Sequence, residues 1–250
     1  MCNRLTVMAV LVLGASALAQ TGGAQSRPAA DRRDPQIARQ EPMPHLLYLP
    51  AGYGTNGGGK RWPLVLFLHG AGESGHDLER VKKHGPPRLV SEGKQFPFIL
   101  VSPQTDHGWR PEELGRLLDS IESQYAVDRS RVYVTGLSMG GFGTWATVAA
   151  FPDRFAAAVM ICGGGDPKQA SRVKDTPLWV VHGELDDVVP IARSRAVVQA
   201  LEQQGAKPRF TVYPDARHDS WTATYNNPRV YRWMLQQRRT PTATSSAPAP

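Results

Sequence analysis

The sequence predicts an α/β fold, with a mainly parallel central sheet, helices on both of its faces and no large lid domain. Three observations predict it. Strand-like and helix-like stretches alternate from residue 46 onward, the strands are continuous apolar runs, and one of them turns sharply through a serine into a helix. Strands that are apolar throughout belong in a sheet covered on both sides, and parallel neighbours need helical crossovers to connect them.

Residues 45–49 read as an extended edge segment, and residues 52–60 as a glycine-rich, hairpin-like loop. Leu64-Val65-Leu66-Phe67-Leu68 is an uninterrupted apolar strand that ends at His69-Gly70, and residues 98–101 form another, closed by Ser102-Pro103. Pro111 suits a first helical turn, and Leu114, Leu117, Leu118 and Ile121 recur at helical spacing across residues 111–125. The strand before the serine covers residues 132–135, and the helix after it covers residues 140–151, stopped by Pro152. Further strands are expected over 157–162, 178–182 and 210–213, separated by a polar loop and by a helix over 191–204. Asn227-Pro228 opens a last helix that runs to residue 238.

At 250 residues the chain suits one domain with a substantial core, and 41% hydrophobic with 20% charged residues is ordinary for a globular protein. The ends differ. Residues 1–19 read as a signal peptide: Arg4, an apolar run over 5–18 that falls short of the roughly 20 residues needed to span a bilayer, then Ala17-Leu18-Ala19 as a cleavage motif. Residues 20–40 and 240–250 are rich in Ala, Gly, Pro, Thr and Ser without apolar periodicity and read as disordered linker and tail, which leaves 41–239 as the catalytic domain. The mature protein is therefore expected in the periplasm or outside the cell, with no stable membrane insertion. Once Cys2 leaves with the signal, Cys162 is the only cysteine, so an intramolecular disulfide is excluded and Cys162 reads as a small buried hydrophobe. The formal charge of +7 comes from scattered Lys and Arg, and Lys82-Lys83-His84 reads as a solvated loop face, so nucleic acid is not an expected partner.

The chemistry centres on Gly136-Leu137-Ser138-Met139-Gly140, a G-x-S-x-G turn. Such a turn strains the backbone so that the serine hydroxyl stands clear at the end of a strand, and its glycines allow close packing as the chain reverses. In a sheet of this type the loops at strand C-termini gather into one site, so a nucleophilic serine needs an acid and a base at later strand ends. Glu184, Asp186 and Asp187 follow the strand over 178–182, with one aspartate of the pair expected to cap the turn before Pro190. His218 follows the strand over 210–213 and suits a general base, because imidazole exchanges a proton close to neutral pH. The loop His69-Gly70-Ala71-Gly72-Glu73-Ser74-Gly75 lets backbone approach a substrate, with the N–H groups of Ala71 and Met139 as oxyanion donors and His69 as a brace. Trp109 and Trp221 fall in loops on the same side and are candidate substrate-binding aromatics. The loop lacks the spacing of a phosphate-cradling motif, and the seven histidines lack metal-ligand spacing, so neither a cofactor nor a metal is expected.

HGAGESG, GLSMGGFGTW, HGELDDVVP and HDSWTATYNNP, spread over residues 45–238, together resemble the α/β-hydrolase superfamily of serine esterases. The chain is similar to a secreted branch of predicted peptidases or prolyl-oligopeptidase-like carboxylesterases related to feruloyl esterases and polyhydroxybutyrate depolymerases. The resemblance implies Ser138 as nucleophile, His218 as base and, from the HG-x-x-D-x-x-V-P pattern, Asp186 rather than its neighbours as the acid. It departs from dienelactone hydrolases, which carry cysteine at the elbow, and it has no length to spare for the propeller of true prolyl oligopeptidases. What it implies is a secreted serine carboxylesterase acting on small or polymer-attached esters, such as acyl or feruloyl esters of plant polysaccharide. Two alternatives stand beside it: a serine peptidase or amidase with the same triad, and a non-catalytic carbohydrate-binding protein on a hydrolase fold.

Overall fold

A computed structural model describes residues 43–54 and 59–239; the expected signal peptide, linker and tail lie outside them. The apolar runs become strands of one sheet. β1 (His45–Tyr48), β2 (Trp62–Leu68), β3 (Ile99–Pro103), β4 (Val127–Leu137), β5 (Ala157–Ile161), β6 (Leu178–Gly183) and β7 (Arg209–Tyr213) lie in the order β1-β3-β2-β4-β5-β6-β7. Among these pairs only β1 with β3 is antiparallel. Every residue of β2, β3, β5 and β6 is buried, which is why those strands carry continuous apolar runs, with Ser102 and His182 as buried polar residues near the ends of β3 and β6.

Successive strand side chains point to opposite faces, so the sheet divides the core in two. On one face Leu64, Leu66, Val134, Met160 and Val180 pack with Leu117 of α2 (Pro111–Gln124), Trp145 of α3 (Met139–Ala150) and Val197 of α5 (Ala192–Gln203). On the other, Val65, Phe67, Tyr133, Val159 and Val181 pack with Leu89 of α1 (Gly85–Ser91), Tyr225 of α6 (Trp221–Asn226) and Met234 of α7 (Pro228–Gln236). A short α4 (Ala170–Val173) lies between β5 and β6. Among the described residues no helix is long and apolar enough to cross a membrane.

Three local expectations change. The segment over 52–60 does not close a hairpin, because β3 lies between β1 and β2 in the sheet; residues 55–58 are outside the described residues. β4 starts at Val127, five residues before its apolar run, where Asp128 takes hydrogen bonds from Ser130 and Arg131 and the register with β2 shifts between Trp62 and Leu64. Lys82 and Lys83 end a 3-10 helix, Leu78–Lys83, anchored by the fully buried Val81 rather than lying on an open loop.

Candidate active site

β4 ends at Leu137 and α3 starts at Met139, with Ser138 between them at φ 53° and ψ −117°. A positive φ is a strained conformation for a residue with a side chain, and here the surroundings impose it. The Ser138 N–H donates to Ile161 O at 3.0 Å and lies 3.3 Å from Cys162 Sγ. A Cβ on Gly136 would stand 2.3 Å from Gly140 O, and one on Gly140 would stand 2.0 Å from Leu68 O. Strand, turn and helix thus pack backbone against backbone, which holds the hydroxyl at the C-terminal edge of the sheet.

The loop after β7 delivers His218 to that hydroxyl. His218 Nε2 lies 3.0 Å from Ser138 Oγ, and Nδ1 lies 2.8 Å from Asp186 Oδ2. Burial alone would push the Asp186 carboxyl up, but His218 and the N–H groups of Val189 and Val188 outweigh it and hold it below its ordinary 3.8. An ionised carboxylate only accepts, so Nδ1 carries the hydrogen and Nε2 is left to accept from serine. Asp186 Oδ1 meanwhile accepts from Val188 N–H at 3.0 Å and Val189 N–H at 2.9 Å. Two duties that the sequence divides between neighbouring aspartates, capping the turn and holding the imidazole, fall on the two oxygens of one residue. Asp187 pairs with Arg217 at 2.6 Å and Glu184 with Arg195 at 2.7 Å, both on the surface.

Ala71 opens a 3-10 turn, Ala71–Glu73, and Met139 opens α3, and the first N–H groups of a helix have no acceptor within it. Their loops touch: a Cβ on Gly70 would stand 2.7 Å from Leu137 Cδ1, and one on Gly140 would stand 2.7 Å from His69 O. The fully buried His69 donates from Nδ1 to Gly70 O at 2.7 Å and accepts at Nε2 from Thr105 N–H at 3.2 Å. Burial pushes its pKa down, which suits this neutral, one-donor, one-acceptor role. Glu73 Oε2 accepts from Gly70 N–H at 3.1 Å, and Gln104 Nε2 donates to the carbonyls of Glu73 and Asp77, each at 2.8 Å. Neither Glu73 nor Gln104 stands out in sequence, although an acid three residues after Gly70 has the spacing of a capping box.

The two tryptophans sit differently. Trp109 Nε1–H donates to His69 O at 3.0 Å, its ring meets His69 edge-on at 4.7 Å, and a Cβ on Gly143 would stand 2.7 Å from its Cδ1. Its N–H is committed to the loop that carries Ala71. Trp221 lies edge-on to His218 at 5.2 Å and to His84 at 5.3 Å, beside the imidazole. Potential metal donors of Cys162, Asp186 and His218 lie within 4.8 Å of one another. Burial pushes the Cys162 thiol up to about 12, so it stays protonated, and the other two groups are engaged with each other. The arrangement is a hydroxyl, an imidazole and a carboxylate within hydrogen-bond reach of one another, able to move a proton from oxygen to nitrogen.

This sheet and this line of side chains define an α/β hydrolase. Residues 103–233 match the dienelactone hydrolase family, and the chain belongs to it. That match corrects the separation drawn on the elbow residue, since the matched span contains the elbow with serine at 138. The bifunctional acetylxylan esterase/xylanase of Neocallimastix patriciarum is 28% identical over 153 residues, 57% of this chain and 21% of that protein. The probable feruloyl esterase C of Aspergillus terreus is 26% identical over 195 residues, 75% of this chain and 70% of that protein. A solved thermostable esterase is 33% identical with a TM-score of 0.68, covering 79% of this chain and 60% of that one. The chain therefore spans about a fifth of the bifunctional protein and three-fifths of the solved esterase.

Proposed function

We propose that the chain is a secreted or periplasmic serine carboxylesterase that works through an acyl-enzyme on Ser138. The observation that carries this reading is the continuous contact from Ser138 Oγ to His218 Nε2, 3.0 Å, and from His218 Nδ1 to Asp186 Oδ2, 2.8 Å. His218 takes the serine proton as Oγ attacks the ester carbonyl, and Asp186 holds the tautomer and stabilises the imidazolium. The N–H groups of Ala71 and Met139 receive the oxyanion. The alcohol departs with the proton from His218, and a water activated by the same nitrogen releases the acid. Acyl or feruloyl esters of plant polysaccharide are the substrate class, a reading supported by the acetylxylan and feruloyl esterases among the relatives. Export rests on the signal-like residues 1–19, whose removal N-terminal sequencing of the mature protein detects.

A fluorophosphonate probe tests the chemistry: it is expected to label the wild type and not Ser138→Ala, and an unlabelled wild type would overturn the proposal. Initial rates on acetyl, butyryl and feruloyl esters and on their matched amides then measure the substrate class, with amide turnover equal to ester turnover pointing to a peptidase instead.

A further inference from the structure

We propose that His182, a residue with no direct part in the proton transfer, is a positioning residue for Asp186 that ties the acid to the nucleophile's helix. The inference rests on the triad reading above. His182 lies near the end of β6, between Val181 and Gly183, and its side chain is wholly buried where an aliphatic residue would continue the strand's apolar run. A buried imidazole in such a place needs partners for both of its nitrogens, and here both are provided.

The partners on one side belong to the acid's turn. Nε2 lies 2.8 Å from Val189 O, and because a carbonyl only accepts, the hydrogen sits on Nε2. The same nitrogen stands 3.1 Å from Asp186 Oδ2, the oxygen that receives His218. The N–H of Val189 in turn donates to Asp186 Oδ1. His182 therefore pins the far end of the turn that wraps Asp186, and places the positive edge of an N–H beside the working oxygen.

On the other side Nδ1, left without a hydrogen, accepts from the Ser194 hydroxyl on α5 at 2.7 Å, and that oxygen sits 3.0 Å from Gly163 O, the acceptor its single hydrogen takes when it turns from the ring. Gly163 abuts the first turn of α3, since a Cβ on it would stand 2.7 Å from Gly141 C. One imidazole thus joins the acid's turn, α5 and the segment against which the nucleophile's helix rests. The consequence is geometric. Without the Nε2 donor Val189 O is released, the turn whose N–H groups hold Asp186 Oδ1 loosens, and the carboxylate shifts against His218, so the base loses its orientation while the open side of the site is unchanged.

Steady-state kinetics on p-nitrophenyl acetate, with melting temperatures, test this on the full chain. In His182→Gln the amide nitrogen replaces the Nε2 donor, whereas in His182→Asn the shorter side chain reaches only toward Ser194. His182→Asn is expected to lower kcat about 10- to 100-fold with KM within about twofold, and His182→Gln to recover most of that loss. A folded His182→Asn at wild-type kcat overturns the proposal, as does a folded His182→Gln that loses as much as His182→Asn. If His182→Asn does not fold, Ser194→Ala takes its place: it frees the ring on its Nδ1 side and is expected to lower kcat at unchanged KM, and an unchanged kcat there overturns the proposal too. Asp186→Asn runs alongside as the control. Full activity in that variant defeats the triad reading itself, whereas its loss together with intact His182 variants defeats only this inference.

Discussion

Gly183 and Arg217 meet backbone to backbone: a Cβ on Gly183 would stand 2.2 Å from the Arg217 carbonyl oxygen and 2.4 Å from that of Ala216. The end of β6 thus supports the loop that presents His218. That loop is tied to the acid's loop as well, through Leu185 N–H to Ala216 O at 3.0 Å and Glu184 N–H to Tyr213 O at 2.9 Å. Gly183→Ala must push residues 216–218 outward, and a shift on the order of 1 Å in a catalytic group costs about 100-fold. The expected outcome is a kcat lowered by about that factor in a protein that still melts cooperatively. Kinetics beside a thermal melt check it, and wild-type kcat in the variant contradicts it.

Trp109→Phe separates support from substrate contact. The phenyl ring still packs on Gly143 and His69, but the 3.0 Å hydrogen bond to His69 O is lost. A hydrogen bond of this kind is worth about 1 kcal/mol, so the loop carrying Ala71 loosens and kcat falls about fivefold with KM unchanged. A rise in KM alone returns Trp109 to the substrate-binding role that its loop position suggested.

The layered sheet was legible because its central strands are buried on both faces and so carry continuous apolar runs. The start of β4 was not, because Asp128-Arg129-Ser130-Arg131 is polar; its extended form depends on Asp128 accepting from Ser130 and Arg131, contacts that hydropathy does not register. α1 was not among the expected elements, because it opens on Gly85-Pro86-Pro87 and has no long apolar period, although proline is well suited to a first helical turn. At the candidate site, order and motif singled out Ser138, Asp186 and His218, the three side chains that the structure brings into contact. Gln104 was not singled out, because the carbonyls of Glu73 and Asp77 that it holds come near only after the loops fold over the sheet edge, whereas Glu73 and His182 act locally, on Gly70 N–H and Val189 O, contacts that residue type alone does not mark.

Alkaline stability reports on the wall beneath the serine. Burial pushes the Cys162 thiol from its ordinary 9.0 up to about 12. The folded chain keeps this proton where the unfolded chain has lost it, so the contribution to stability is whole below pH 9 and is lost as the pH rises toward 12. The urea midpoint is expected to fall across that window, and Cys162→Ala to flatten the fall. The Tyr133 hydroxyl, raised by burial from 10.0 to about 12, leaves a residual slope. Thiol titration with a disulfide reagent at about pH 8 gives the independent check: slow in the native protein, fast in urea, with rapid native reaction contradicting the assignment.

Asp186→Asn and Asp187→Asn discriminate between two adjacent carboxylates of the same chemistry. In Asp186→Asn one side-chain atom can still accept from the turn, but an amide N–H facing His218 forces Nδ1 to become the acceptor and moves the hydrogen to Nε2, toward the serine. That tautomer cannot take the serine proton, so kcat near neutral pH is expected to fall about 10⁴-fold while KM changes little. Asp187 loses only its pairing with Arg217, in which the two side chains are 59% and 72% exposed. Exposed pairs contribute about 0–1 kcal/mol, so Asp187→Asn keeps kcat within about twofold. Acid unfolding adds a second readout. The folded Asp186 carboxyl titrates below its ordinary 3.8, so its contribution is present above that pH and lost as the pH falls below it, and only the Asp186 variant lacks that loss. The larger kinetic loss in Asp187→Asn contradicts the whole assignment, because it makes the surface carboxylate the partner of His218.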